Sequence, residues 1–242
     1  MKVILTGHSR GLGAALTLQL LEKGIPVLGI SRGVHAAIPT AQRHLCIEKQ
    51  IDLSSASATL AWLMTTELSE FLADTDSACL INNAGLLEPV AKIGAQSNQD
   101  IVDAVSVNLS AALTMTNQFV KHSTAIKDRR VLHISSGAAR SPYAGWSIYC
   151  ATKAALDQHA RCLAIEGHAG LKSCSLAPGV IDTDMQAQVR GSDLDQFPMR
   201  KKFDQLKAEG ALSAPQDCAR QLLAYLLGPT FGAEPCLDLR QI

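Results

Sequence analysis

The feature that most constrains this chain stands at its start. A wholly apolar run, Val3-Ile4-Leu5, passes straight into Thr6-Gly7-His8-Ser9-Arg10-Gly11-Leu12-Gly13, and a strongly apolar stretch follows. A run without polar alternation suits a strand buried on both faces. Glycines directly after such a strand permit a tight turn and let a pyrophosphate approach the backbone. A helix beginning there aims unpaired N–H groups and the positive end of its dipole at the same spot. The spacing is GxxxGxG, not GxGxxG, so by itself the motif also fits an ordinary strand-to-helix turn.

The same alternation recurs along the chain. Strands are expected at Val3–Thr6, Pro26–Ser31, His44–Ile47, Ala78–Asn82, Arg130–Ser135, Lys172–Ala177 and Pro235–Leu239. Helices are expected at Gly11–Lys23, Ser55–Leu72, Asn98–His122, Ile148–His168 and Ala214–Leu227. Strand–helix alternation implies parallel βαβ units. The expectation is an α/β fold: a Rossmann-type doubly wound parallel sheet in three layers, one domain over residues 1–242. The stretch 182–212 is polar and rich in Asp, Gln and Lys, and is expected to leave the domain as a substrate lid.

Composition excludes several function classes. Lys plus Arg and Asp plus Glu both number 22, so nothing points to nucleic acid or a membrane surface as partner. No apolar stretch approaches the ~20 residues that span a bilayer, and no signal-peptide pattern opens the sequence. The seven cysteines are scattered and never spaced CxxC, which reads as core packing in a reducing compartment, hence a cytoplasmic location. The histidines lack metal-ligand spacing, so no metal site is expected.

Two places carry chemistry. The second strand ends Gly29-Ile30-Ser31-Arg32, without the acid that would hold a ribose 2′-hydroxyl. Ser31, Arg32 and Arg10 can instead hold a 2′-phosphate through charge-assisted bonds, which favours NADPH over NADH. The alternative is that both arginines are solvated loop residues. Asp52 and Leu53 are placed to flank the adenine. Asn82-Asn83-Ala84-Gly85 ends the fourth strand, either letting a cofactor lie close or forming an Asx turn.

The second place is the pair Tyr149 and Lys153, four apart and so on one helix face. Carbonyl reduction needs a proton donor at oxygen, and tyrosine with a pKa of about 10 is a poor one unless a nearby ammonium favours its phenolate. Ser136, thirteen residues upstream at a strand end, supplies a second donor to the same oxygen. Alone, a Tyr-x-x-x-Lys pair is equally a solvated helix face; the strand-end serine distinguishes this one, because ligands bind outside the carboxyl ends of parallel strands. Asn108 falls within a helical pattern that it suits poorly, where it distorts the helix or is simply tolerated.

Taken together these residues resemble the classical short-chain dehydrogenase/reductase family over nearly the whole chain. The family's TGxxxGxG falls on Thr6–Gly13, its NNAG on Asn82–Gly85, and its Asn–Ser–Tyr–Lys tetrad on Asn108, Ser136, Tyr149 and Lys153. Its PGxxxT falls on Pro178–Thr183 and implies nicotinamide contacts from Pro178, Gly179, Ile181 and Thr183, with Met185 just beyond. Within the family the chain resembles the sepiapterin reductases and the related benzil-type diketone reductases. That likeness is carried by Gly145–Ala151, by PGVIDTDMQ at Pro178–Gln186, and by Met199–Gly210.

The resemblance implies NADPH as cofactor, with Gly7, Ser9, Arg10, Gly11, Leu12 and Gly13 cradling phosphates and Asn83, Ala84 and Gly85 beside the nucleotide. Tyr149 is then the acid, Ser136 polarises the carbonyl, and Lys153 lowers the tyrosine pKa and binds ribose. Asn108 holds a water linked to Lys153. Asp238 matches the acid that anchors a pterin; a strand-end carboxylate capping local backbone is the competing reading. The family often forms dimers or tetramers, and Ala151, Ala154, Ala155 and Leu156 suit such a homo-oligomeric face unless they face the sheet. The expected activity is reduction of a small ketone or vicinal dicarbonyl. A 3-oxoacyl thioester or sugar substrate, and a non-catalytic NADPH sensor, are the competing readings.

Overall fold

In a computed structural model describing residues 1–242, the chain opens with β1 (Lys2–Thr6), α1 (Gly11–Glu22), β2 (Val27–Ser31) and β3 (Cys46–Gln50). There follow α2 (Ala56–Leu63), α3 (Glu67–Leu72), β4 (Ser77–Asn82), α4 (Asn98–Val105), α5 (Ala111–His122), β5 (Asp128–Ile134) and α6 (Ser147–Ile165). The chain closes with β6 (Leu171–Ala177), α7 (Asp184–Gly191), α8 (Arg200–Ala208), α9 (Pro215–Leu227) and β7 (Cys236–Asp238). All seven strands pair in parallel, in the order β3-β2-β1-β4-β5-β6-β7. The order reverses between β1 and β4, and that reversal opens a crevice at the strands' carboxyl ends.

The apolar opening run explains the three layers. Successive side chains of a strand point to opposite faces. Val3 and Leu5 join Leu16 and Leu20 of α1 and Leu222 and Leu226 of α9 on one face. Ile4 joins Leu28, Leu80, Trp62, Phe71, Met115 and Phe119 on the other. Each fully buried leucine among them contributes about 2 kcal/mol relative to exposure.

Two local expectations are corrected. The helix expected over Ser55–Leu72 is two helices, because Thr65 closes the first: its N–H and Oγ1 both reach the Trp62 carbonyl, at 3.0 and 2.7 Å. The third strand is Cys46–Gln50, not His44–Ile47; Thr40–Leu45 is a 3₁₀ turn, and β3 tolerates Glu48, Lys49 and Gln50 because it is the sheet edge. The polar stretch 182–212 contains α7 and α8, which bury only Gln186, Val189 and Phe203 and are otherwise polar. No helix is long and apolar enough to cross a membrane. All seven cysteines are free. Of the residues offered for an oligomer face, Leu156 is buried, Ala154 and Ala155 are half-buried, and Ala151 is exposed.

Candidate active site

A cavity of about 850 Å³ occupies the crevice, at the upper end of small-molecule sites (roughly 300–1,000 Å³). The glycine loop forms its floor. Gly7 has a φ of +69°, and a Cβ there would meet the Ala84 Cα and the Asn83 side chain at 2.9 Å. A Cβ on Gly13 would lie 1.9 Å from the Gly7 carbonyl oxygen. Asn83 and Thr6 hold this arrangement: the Asn83 amide donates to the carbonyls of Thr6 (3.0 Å) and Gly7 (3.1 Å), and Thr6 Oγ1 accepts from the N–H groups of Asn83 and Ala84, both at 3.0 Å. Asn83 thus clamps the loop, a role that spacing alone did not reveal. Beneath it the buried His8 lies against Gly29 and shares 2.8 Å with Glu48, a contact equally invisible in the sequence.

The first turn of α1 carries no side-chain cap and no acid. Its N–H groups therefore face the cavity unpaired, which favours an anion. Arg10 and Arg32 are exposed at the cavity and neither makes a salt bridge within the chain. Arg32 lies near enough to Asp52 to help draw its carboxyl down, behind the larger effect of the Ser54 N–H bond. Ser31 Oγ donates to the Gly33 carbonyl at 2.6 Å, so its hydroxyl must turn to meet any phosphate. Asp52, Leu53, Asn83, Ala84 and Gly85 line the cavity, as do Pro178, Gly179, Ile181, Thr183 and Met185. The cradle without room for Cβ atoms, the uncapped helix and the two exposed guanidiniums fit a dinucleotide. A Gly13→Ala variant is expected to lose about 3 kcal/mol of stability, because its methyl has nowhere to go; chemical denaturation measures this.

Ser136, Tyr149 and Lys153 meet at the cavity wall. Ser136 follows β5 and its Oγ accepts from the Ala138 N–H at 3.2 Å. Burial pushes the Tyr149 phenol up, with the Ser136 hydroxyl pulling it down. Lys153 is buried, donates to the Ile134 carbonyl at 2.8 Å, and lies 5.7 Å from the centre of the Tyr149 ring. Burial lowers its pKa to about 8, against a partial upward pull from Asp157. Burial is thus the largest influence on the Tyr149 phenol, and the nearby Ser136 hydroxyl opposes it.

Asn108 sits in a π-helical turn, Ser106–Ser110, between α4 and α5. The distorted helix is the one expected, but the side chain is already occupied. Its Oδ1 accepts from the Leu86 N–H at 2.7 Å, and its two amide protons go to the Leu86 carbonyl (2.9 Å) and Thr152 Oγ1 (3.3 Å). It braces the loop after β4 and does not itself line the cavity.

Asp157, one turn beyond Lys153, was not singled out from the sequence. It is buried and fully bonded: Ser135 and Ser175 each donate to Oδ1 at 2.7 Å, and Arg140 donates to Oδ2 at 3.0 Å. It ties α6 to the ends of β5 and β6. For Asp157→Asn the Lys153 pKa is expected to fall below about 8, since the upward pull is removed. With the ammonium as the active form, the limb of a kcat/KM profile that declines as pH rises moves to lower pH, and a pH–rate profile reads it.

The stretch 182–212 covers the cavity through aromatic contacts. Phe197 stacks on Trp146 at 4.4 Å and Phe203 lies 5.4 Å from it. Trp146 in turn contacts Tyr149 (5.5 Å) and Tyr143 (5.4 Å). Asp238 is placed differently from its expected role. It does not line the cavity; its carboxylate accepts from the Arg240 Nε (2.8 Å), Nη2 (2.5 Å) and backbone N–H (3.0 Å). The carboxylate is spent on its neighbour, and it is Arg240 that reaches the cavity.

Residues 1–193 match the model of the short chain dehydrogenase family. The chain belongs to that family. It is 35% identical over 232 residues to a benzil reductase ((S)-benzoin forming) of Bacillus cereus, covering 91% of each chain. It is 31% identical over 255 residues to the sepiapterin reductase of Rattus norvegicus, covering 99% of this chain and 96% of that one. A crystal structure of a short-chain dehydrogenase/reductase from Burkholderia vietnamiensis shares 39% identity with a TM-score of 0.72, covering 100% of this chain and 97% of the other. The chain is accordingly an oxidoreductase on a Rossmann-type fold.

Proposed function

We propose that this oxidoreductase is an NADPH-dependent carbonyl reductase acting on vicinal dicarbonyls, with Tyr149 as general acid. The observation that carries the reading is the meeting of Tyr149, Ser136 and Lys153 on the wall of the cavity that the glycine loop floors. The likeness to benzil and sepiapterin reductases supports a dicarbonyl as substrate.

NADPH supplies the hydride to the carbonyl carbon when bound. The uncapped N-terminus of α1 and the glycine loop hold its pyrophosphate, and Arg10 and Arg32 hold the 2′-phosphate. Tyr149, kept protonated at neutral pH by burial, hands its proton to the carbonyl oxygen as charge develops there. Ser136 donates a hydrogen bond to that oxygen, and the Lys153 ammonium steadies the phenolate left behind. Asn108 and Asp157 position these groups through Leu86 and the ends of β5 and β6. The aromatic contacts of Phe197 and Phe203 on Trp146 keep water from the reacting face.

The test is NADPH oxidation against benzil, sepiapterin, an acetoacetyl thioester and a simple aldehyde. The dicarbonyls are expected to react fastest. A flat response to every dicarbonyl, or a preference for the thioester, defeats the assignment.

A further inference from the structure

Resting on that reading of the site, we propose that Arg240 forms an anion subsite in the cavity, so that the preferred substrates are aryl ketones bearing a carboxylate. The polarity of this end of the site is the reverse of what Asp238 alone would suggest. Asp238 is buried and its two oxygens are taken by Arg240, while Arg140 lies close enough to add further positive charge. A substrate amine would have to displace a bidentate guanidinium to reach that carboxylate, and such fork-on-fork pairs are the strong ones.

The same pairing fixes Arg240. With Nε and Nη2 on Asp238, its Nη1 has no acceptor within the chain, and its stem packs near Gly179, 3.6 Å from where a Cβ there would sit. An aromatic wall runs from the reacting group: Tyr149 contacts Trp146 and Trp146 contacts Tyr143, and all three line the same cavity as Arg240. A molecule with its ketone at Tyr149 and an aromatic body along this wall therefore brings its far end toward a preoriented cation. Arginine held in one geometry loses little freedom on binding an oxyanion.

The experiment compares benzil with benzil carrying a para-carboxylate, for the wild type and Arg240→Met. Arg240 is largely exposed, so the substitution opens no cavity, and Asp238→Asn accompanies it so that no buried carboxylate is left without a partner. In the wild type, kcat/KM for the carboxylated substrate is expected to exceed that for benzil by roughly five- to tenfold, the scale of one partly screened charge pair in fork geometry. In Arg240→Met that ratio falls to about one. Without NADPH no turnover occurs, so calorimetric titration of the carboxylated diketone reads affinity alone, and it weakens by the same factor. An unchanged ratio and unchanged affinity in Arg240→Met overturn the subsite and leave the dicarbonyl reading intact. Arg240-dependent binding with no reduction of either diketone instead supports the subsite and overturns the reaction.

Discussion

Replacing Tyr149 by Phe is expected to lower kcat by about 10³-fold, within the roughly 10²–10⁴-fold that a positioned general acid supplies. The affinity for NADPH should stay within about twofold, because the phosphate-binding elements lie on α1 and the ends of β1 and β2, outside α6. The change removes one hydroxyl and keeps the ring, so the contact with Trp146 at 5.5 Å persists and the fold should not suffer. Steady-state kinetics paired with fluorescence titration of NADPH separates the two quantities. A loss of binding with full-rate chemistry in the bound fraction would place Tyr149 in the nucleotide site instead.

The second large effect concerns the nucleotide. Arg10 and Arg32 are exposed at the cavity and make no salt bridge, so a 2′-phosphate would meet two available guanidiniums. Removing both, as Arg10→Ala with Arg32→Ala, is expected to raise KM for NADPH by about 10²-fold, roughly tenfold for each charge-assisted contact at a solvated site. KM for NADH should barely move, since that nucleotide lacks the phosphate. The ratio of the two specificity constants is the reading. Equal losses for both nucleotides would assign the arginines to the pyrophosphate or to the fold, and the selectivity argument would fall.

Much of this architecture was legible in the residues, for identifiable reasons. Val3-Ile4-Leu5 is continuously apolar because the sheet is covered on both faces, and no other common arrangement demands that. Gly7, Gly11 and Gly13 stand where a Cβ would collide or where φ is positive, so their positions are visible as letters. Ser136, Tyr149 and Lys153 are recognisable because a strand end and one helix face bring them together. What remained hidden depends on contacts between distant segments. α7 and α8 bury so few side chains that their overall polarity reads as an excursion from the domain. Asp157 looks like any helix carboxylate until Ser135, Ser175 and Arg140 converge on it. The spending of Asp238 on Arg240, two residues away, depends on side-chain direction at the last strand, and composition carries no trace of it. Nor can spacing along a helix report the burial that raises the Tyr149 pKa.

The most direct test of the account follows the hydride itself. NADPH carrying deuterium at its transferable position is mixed with benzil and the enzyme, and the hydroxyketone product is examined by mass spectrometry and NMR. The expected result is one deuterium on the carbinol carbon for each NADPH consumed, with label transfer slowed about 10³-fold in Tyr149→Phe. Product formed without deuterium, or NADPH bound firmly yet never oxidised by benzil, would contradict it.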